Sequence, residues 1–381
     1  MQRTLYESDH DEFRAVVAGF AERVIGSQLD RFISERAIDR DVWLRAGELG
    51  ILGLEIPDEF GGNQTYDYRF NAVVGEELSK ISVGINSCVQ IHFDITVPYL
   101  VGLGTGELRD RVLPGLAAGS LVAAMGMTEP SGGTDLAALR TTAVPDGGNW
   151  VINGSKTFIT NGYGADVVVV AARTSPEKGP RGISLFVLEA GMEGFERGRK
   201  LAKIGQPESD TAELFFTDCV VPDANLLGEV DAGFGYMMQR LPQERLGCAI
   251  SSIAHAKQTL TETLDYAKQR QAFGEPIGSF QHLKFVLAEQ ATKIDVTQGY
   301  LDQCVVAKND GTLTAIDAAK AKWWSSQIQG EVIDACLQIF GGYGYMSEYR
   351  VGRAWCDARV TRIWAGSNEI MKELIGRDLG L

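Results

Sequence analysis

From about Glu12 to Gly119 the apolar positions recur at helical spacing: Phe13, Val16, Val17 and Phe20 fall three and four apart, and Asn71 to Leu78 repeats the pattern. Turn-forming runs such as Pro57-Asp58-Glu59-Phe60-Gly61-Gly62 interrupt it. After Leu121 the period shortens. Trp150-Val151-Ile152 and Lys156 to Ile159 flank Asn153-Gly154, which predicts a hairpin turning at that dipeptide. Asp166 to Ala172, Ile183 to Ala190 and Thr211 to Val221 read as further short strands, together a small antiparallel barrel or sandwich. From Gly233 the helical period returns in long segments. Leu246, Ile250, Ile253, Leu260 and Leu264 form one stripe, and Leu287, Ala291, Ile294, Leu301 and Val305 another.

Helices, then strands, then helices, in segregated runs, predict an α+β fold rather than a parallel doubly wound sheet. The expected units are a helical domain over 1–120, a β domain over 121–231 and a helical bundle over 232–381. No internal repeat or low-complexity tract breaks this division.

Composition narrows the function classes. A hydrophobic content of 45% with 23% charged residues is that of an ordinary globular chain, which sets aside disordered and collagen-like proteins. With 36 basic against 50 acidic residues the net charge is -14, so the surface as a whole repels nucleic acid and anionic membranes. A phosphate-rich ligand therefore needs a local basic or helix-end site. The six cysteines stand singly, with no CxxC pair, and read as reduced core residues. The start, MQRTLYESDHDEF, lacks a basic region followed by an apolar run, and no stretch is long and apolar enough to insert in a membrane. The expected compartment is cytoplasmic.

Two common chemistries are disfavoured. Gly341-Gly342-Tyr343-Gly344 lacks the GxGxxG spacing and the strand before it that a dinucleotide fold requires. The four histidines show no metal-ligand spacing, so no metal is expected; His282, beside Gln281, reads either as a ligand contact or, more plainly, as a helix-surface residue.

Four segments carry a more specific signal. They are Met125-Gly126-Met127-Thr128-Glu129-Pro130-Ser131-Gly132-Gly133-Thr134-Asp135; Phe158-Ile159-Thr160-Asn161-Gly162; Arg270-Gln271-Ala272-Phe273-Gly274 with Phe280-Gln281; and Gln338 to Gly344 with Ile363-Trp364-Ala365-Gly366-Ser367-Asn368-Glu369-Ile370. In order and spacing they resemble the acyl-CoA dehydrogenase family, and the resemblance covers essentially the whole chain. It implies that family's fold, with an N-terminal helical domain, a middle antiparallel β domain and a C-terminal four-helix bundle. It also implies non-covalent FAD, an acyl-CoA substrate, and electron transfer to an electron-transferring flavoprotein.

Residue by residue, the resemblance implies that Met125, Met127, Thr128, Gly133, Thr134, Phe158, Ile159 and Thr160 face the flavin, with Thr160 at its N5. Phe158 and Thr160, two apart on a strand, can point to one side. A core Phe beside a ladder-edge Thr would give the same alternation. Arg270, Phe273, Gln281, Gln338, Gly341 and Gly342 are implied to reach the FAD of a neighbouring subunit in a homotetramer built as a dimer of dimers. Arg270 suits a diphosphate through its planar fork, and Gly342 permits close approach. A solvated helix-end cation is the plainer reading of Arg270. Ser367, Asn368 and Glu369 complete the implied cofactor set.

Proton abstraction next to a thioester needs a carboxylate in an apolar pocket. In many members that glutamate precedes the glycine corresponding to Gly366. Here the position is Ala365. The isovaleryl and long-chain branches carry their base in a segment resembling Leu241-Pro242-Gln243-Glu244-Arg245-Leu246, and Glu244 matches it. Glu244 is thus the implied catalytic base, with Thr134, Pro242, Gln243, Arg245, Ala365 and Gly366 around the substrate. The backbone N–H of Ala365 can polarise the thioester carbonyl without any side chain. A helix-start carboxylate favoured by the macrodipole is the plainer reading of Glu244. The Leu-Pro-Gln-Glu-Arg-Leu run and the Phe at 158 look most like the long-chain branch, implying a medium to long, straight or methyl-branched acyl chain. Two competing classes are an oxidase on the same fold, passing electrons to oxygen, and a non-catalytic acyl-CoA binder, suggested by Ala365.

Overall fold

The computed structural model describes residues 3–381. Seven helices come first: α1 (Ser8–Phe20), α2 (Leu29–Glu35), α3 (Arg40–Glu48), α4 (Tyr68–Ile81), α5 (Val83–Gln90), α6 (Val97–Leu103) and α7 (Gly106–Ala118). On α1 the stripe narrows to Phe13, Val17 and Phe20, because Val16 lies outside that face and is 41% exposed. Helix α4 is enclosed on nearly every side, and its charged residues survive burial by pairing. Glu76 accepts from Arg3 and Arg14 at 2.8 Å each, and from the Tyr6 phenol at 2.9 Å.

Eight strands follow: β1 (Ala123–Gly126), β2 (Thr142–Asp146), β3 (Asn149–Thr160), β4 (Val167–Arg173), β5 (Ile183–Glu189), β6 (Phe195–Lys200), β7 (Thr211–Pro222) and β8 (Leu226–Leu227). They form one sheet in the order β6-β7-β3-β2-β4-β5-β8, with β1 against β4. The expected antiparallel pattern holds except at β4, where β1 pairs parallel along four residues and β2 at one. Strand β4 is apolar on both faces because both are covered. Val167, Val169 and Ala171 pack toward α6 and α7, while Val168, Val170 and Ala172 pack with Trp150, Phe186 and Leu214.

The hairpin expected at Asn153-Gly154 is not there. Strand β3 runs straight through the dipeptide, which forms a bulge against β7 between Ile152 and Gly154. Gly154 has φ 146°, and a Cβ there would lie 2.7 Å from Thr141 Cα. The Asn153 side chain bonds Asp218 across the bulge, donating at 3.1 Å and accepting the Asp218 N–H at 2.8 Å. The real turn is Gly147-Gly148 between β2 and β3, where both glycines take positive φ as a two-residue hairpin demands.

The last third returns to helices: α8 (Gly233–Gln269), α9 (Gln281–Asn309), α10 (Ala315–Phe340), α11 (Arg350–Ala358) and α12 (Asn368–Asp378). Both predicted stripes meet in one core, where Leu246, Ile250, Ile253 and Leu260 pack with Leu287, Ile294, Leu301 and Val305. A short hairpin, β9 (Gln271–Ala272) and β10 (Glu275–Pro276), links α8 to α9 and turns at Phe273-Gly274. No helix among the described residues is long and apolar enough to cross a membrane.

Candidate active site

Helix α5 and the turn after it, the edge of β1 and β3, the middle of α8 and the loop at 364–366 enclose a cleft of about 1100 Å³, its open mouth included. Of the expected site residues it gathers Met125, Met127, Thr128, Gly133, Phe158, Ile159, Thr160, Glu244, Ala365 and Gly366. Positions 244, 248 and 251 of α8 fall four and three apart, so one face of that helix supplies Glu244, Cys248 and Ser251.

Glu244 is the only acidic residue lining the cleft among the described residues. It sits eleven residues into α8, far from the helix start, so the macrodipole does not account for it. Its carboxylate is buried, and the Tyr99 phenol donates to Oε1 at 3.3 Å. Burial raises its pKa to about 7, while the Tyr99 bond and the neighbouring Arg245 charge pull the other way without cancelling it. A carboxyl that titrates near neutrality in a cleft is equipped to take and release a proton.

The opposite wall comes from the β strands. Phe158 sits at a bulge of β3 with φ 60°, and its ring is 69% exposed. The loop before β2 is clamped to β3 by a pair that sequence reasoning missed. Lys156 Nζ, with no exposure, donates to Glu129 Oε1 at 2.8 Å, and Glu129 also accepts the N–H groups of Arg140 and Thr141 at 2.6 and 2.9 Å. Burial pushes Glu129 up, but the Lys156 charge and these bonds outweigh it and hold it at about 2. The backbone N–H of Thr157 closes the clamp on Thr128 O at 2.9 Å.

The third wall is a left-handed turn, Ala365 at φ 51° and Gly366 at φ 86°. Lys322, fully buried on α10, holds it by donating to Gly366 O at 2.7 Å and to Asn368 Oδ1 at 3.0 Å. Trp364 Nε1 donates to Cys248 Sγ at 3.0 Å, locking the indole into the cleft wall.

Some expected residues lie elsewhere. The Gln243 amide is turned away from the cleft, donating to Asp94 Oδ1 and O at 2.9 Å each, so it is not placed to touch a substrate. The Asn368 side chain is occupied by Lys322 and Ser326 and is not free for a cofactor. Pro242, Thr134, Ser367, Glu369 and Arg245 do not line the cleft; Arg245 is buried behind it, with Nε 3.5 Å from Ala365 O. Arg270, Phe273, Gln281, Gln338, Gly341 and Gly342 do not line the cleft and face solvent. Phe273 is 98% exposed, and Arg270 lies over the Tyr343 ring at 5.4 Å.

Sequence reasoning also missed the cleft residues of α5, among them Asn86, Ser87 and Gln90, and it gave no role to Trp364 or Tyr99. The three-and-four spacing of Leu241, Glu244, Cys248 and Ser251 was the signal available on α8.

The three domain models of one family match in order. They are the acyl-CoA dehydrogenase N-terminal domain over residues 7–120, its middle domain over 124–219 and its C-terminal domain over 231–380. The long-chain specific acyl-CoA dehydrogenase of Sus scrofa is 42% identical over 383 residues, covering 99% of this chain and 88% of that one. The crystal structure of acyl-CoA dehydrogenase from Geobacillus kaustophilus superposes with a TM-score of 0.97 at 41% identity, covering 100% of both chains. A chain from the structure of the electron transferring flavoprotein of Acidaminococcus fermentans gives 0.95 at 37% identity over 99% of both.

The chain therefore belongs to the acyl-CoA dehydrogenase family, and it is an FAD-dependent oxidoreductase. The cleft suits that cofactor. An exposed Phe158 ring and the Thr128 and Thr160 hydroxyls, bonded to no other group among the described residues, offer a flat heteroaromatic ring both an apolar face and edge hydrogen bonds.

Proposed function

We propose that this enzyme oxidises the Cα–Cβ bond of a medium to long acyl-CoA, straight or methyl-branched, to the trans-2-enoyl-CoA. Electrons then pass to an electron-transferring flavoprotein. The observation that carries the reading is Glu244, a buried carboxyl with a pKa of about 7 in the same cleft as the Ala365-Gly366 turn.

In this reading the thioester carbonyl accepts the Ala365 N–H, which donates to no other group among the described residues. That bond acidifies the α-carbon, and Glu244 takes the α-proton. FAD, when bound, would supply the acceptor for the hydride that leaves Cβ. The enclosing apolar groups, Ile91, Ile95, Leu241 and Trp364 among them, exclude water and keep Glu244 basic. Met125, Met127, Thr128, Gly133, Phe158, Ile159 and Thr160 hold the flavin ring within the subunit.

Arg270, Phe273, Gln281, Gln338, Gly341 and Gly342 serve the FAD of a neighbouring subunit in a homotetramer. Their exposure away from the cleft supports this, because a lone subunit gives them nothing to hold. The division at 1–120, 121–231 and 232–381 belongs to the same reading.

The deciding experiment mixes the purified yellow enzyme anaerobically with straight and branched acyl-CoA esters and follows flavin bleaching. Rapid bleaching by some of them, and reoxidation by electron-transferring flavoprotein without peroxide release, is the expected result. Peroxide formation in air at the rate of turnover would instead make the enzyme an oxidase.

A further inference from the structure

Helix α10 fastens the segment before α12 with one polar face. Lys322, Ser326 and Gln329, four and three apart, all lie buried on it. Ser326 Oγ donates to Asn368 Oδ1 at 3.0 Å. Gln329 Oε1 accepts from Thr361 Oγ1 at 2.6 Å, and its amide nitrogen meets His255 Nδ1 at 3.0 Å. Both residues fasten the segment with neutral groups. Lys322 alone on this face is charged, and it is the member that holds the Ala365-Gly366 turn, donating to Gly366 O at 2.7 Å and to Asn368 Oδ1 at 3.0 Å. These acceptors are neutral too, and no carboxylate pairs with the ammonium among the described residues. Burial lowers its pKa, and Cys248, Arg245 and the exposed Glu369 are the titratable groups whose fields reach it.

A neutral donor would hold the turn without desolvating a charge, as Ser326 and Gln329 show one turn away. A counter-charge that forms only during the reaction accounts for the difference. As Glu244 takes the α-proton, the electron pair of that C–H bond spreads onto the thioester oxygen, which the Ala365 N–H holds on the same turn. Arg245, the other cation near the turn, is offset by Glu244 beside it. Lys322 has no such partner. We propose that Lys322 is a positioning residue acting through this turn: its bonds fix the Ala365 N–H, and its charge stabilises the enolate oxygen that forms there. This rests on the dehydrogenase reading above.

The test uses the FAD-loaded enzyme and 3-thiaoctanoyl-CoA. Sulfur in place of Cβ has no hydride to give, so the ester stops at the enolate, whose contact with oxidised flavin gives a long-wavelength absorption band. Two variants separate charge from bonding. Lys322→Gln removes the ammonium but keeps a donor. Asn368→Asp keeps both Lys322 bonds and sets a carboxylate against the ammonium, where an amide oxygen now lies at 3.0 Å. In each, the band should develop at a pH higher by about one unit or more, the effect of a nearby charge in a partly screened site. The kcat/KM limb that Glu244 sets with octanoyl-CoA should move less, because Tyr99, Arg245, Asp94 and Arg240 are the groups that act on that carboxyl. Should Lys322→Gln lose FAD, Asn368→Asp decides alone. Two results overturn the inference while leaving the dehydrogenase reading in place. One is a band that develops at the parental pH in the variants that keep FAD. The other is a limb that moves as far as the band, since the cation would then act on Glu244. If the parent neither ionises the thia ester nor is reduced by octanoyl-CoA, the dehydrogenase reading falls and this inference with it.

Discussion

The Tyr99 phenol, on α6, donates to Glu244 Oε1 at 3.3 Å, the single side-chain hydrogen bond that reaches this carboxyl among the described residues. One donor is little for a buried carboxylate. It lowers the proton affinity of Glu244, but less than burial raises it, which leaves the group at about 7.

The pH dependence follows. Only the carboxylate can accept the α-proton, so kcat/KM should rise with pH along a limb centred near 7. Tyr99→Phe removes the bond that favours the charged form and should move that limb to higher pH. Anaerobic flavin reduction measured from pH 5.5 to 9 checks both. A limb that stays in place in Tyr99→Phe would mean the phenol does not tune the base.

Stability should run the opposite way. The folded pKa of Glu244 lies above its unfolded value of about 4.5, so between these values the unfolded chain binds fewer protons than the folded one. The contribution of this group to stability is therefore lost as pH rises from about 4.5 through 7. Glu244→Gln carries no such charge. Its Tm should exceed that of the parent at pH 8, and the difference should shrink toward pH 5. A gap that widens on acidification would contradict the buried-carboxylate account.

Much of this was legible in the chain, for reasons that differ by element. The stripes of α8 and α9 read correctly because long amphipathic helices repeat their signal many times. Asn153-Gly154 misled because the same dipeptide suits a hairpin turn and a bulge, and only the cross-strand partner, Asp218, decides between them. Glu244 was legible through a motif. Its environment was not, because Tyr99 and Asp94 come from helices more than a hundred residues away. The same holds for Gln243, whose neighbour in sequence faces the cleft while it faces Asp94 itself.

The Lys156–Glu129 pair should prove expensive to break. Both side chains are enclosed, and removing one partner leaves the other charge buried. Lys156→Met should cost about 3 kcal/mol. It should also loosen the loop that carries Met127, Thr128 and Gly133, so FAD should dissociate more readily. Denaturant midpoints and flavin release on dilution measure the two effects. A variant that keeps both at parental values would show that backbone bonds alone secure the loop.

The identity of the base can be tested by moving it. Glu244→Gln keeps the shape and still accepts from Tyr99, but it cannot take a proton. Flavin reduction by acyl-CoA should fall by about 10²-fold or more, with FAD and ester binding near normal. Adding Ala365→Glu then returns a carboxylate to the cleft from the other side. The turn should tolerate it, because Ala365 already carries a Cβ at φ 51° and lines the cleft. The new side chain meets Arg245, whose Nε lies 3.5 Å from Ala365 O, and that charge will favour the ionised form. The double variant should therefore recover part of the rate, with its pH limb below that of the parent. Bleaching by Glu244→Gln as fast as the parent would show that another group takes the proton.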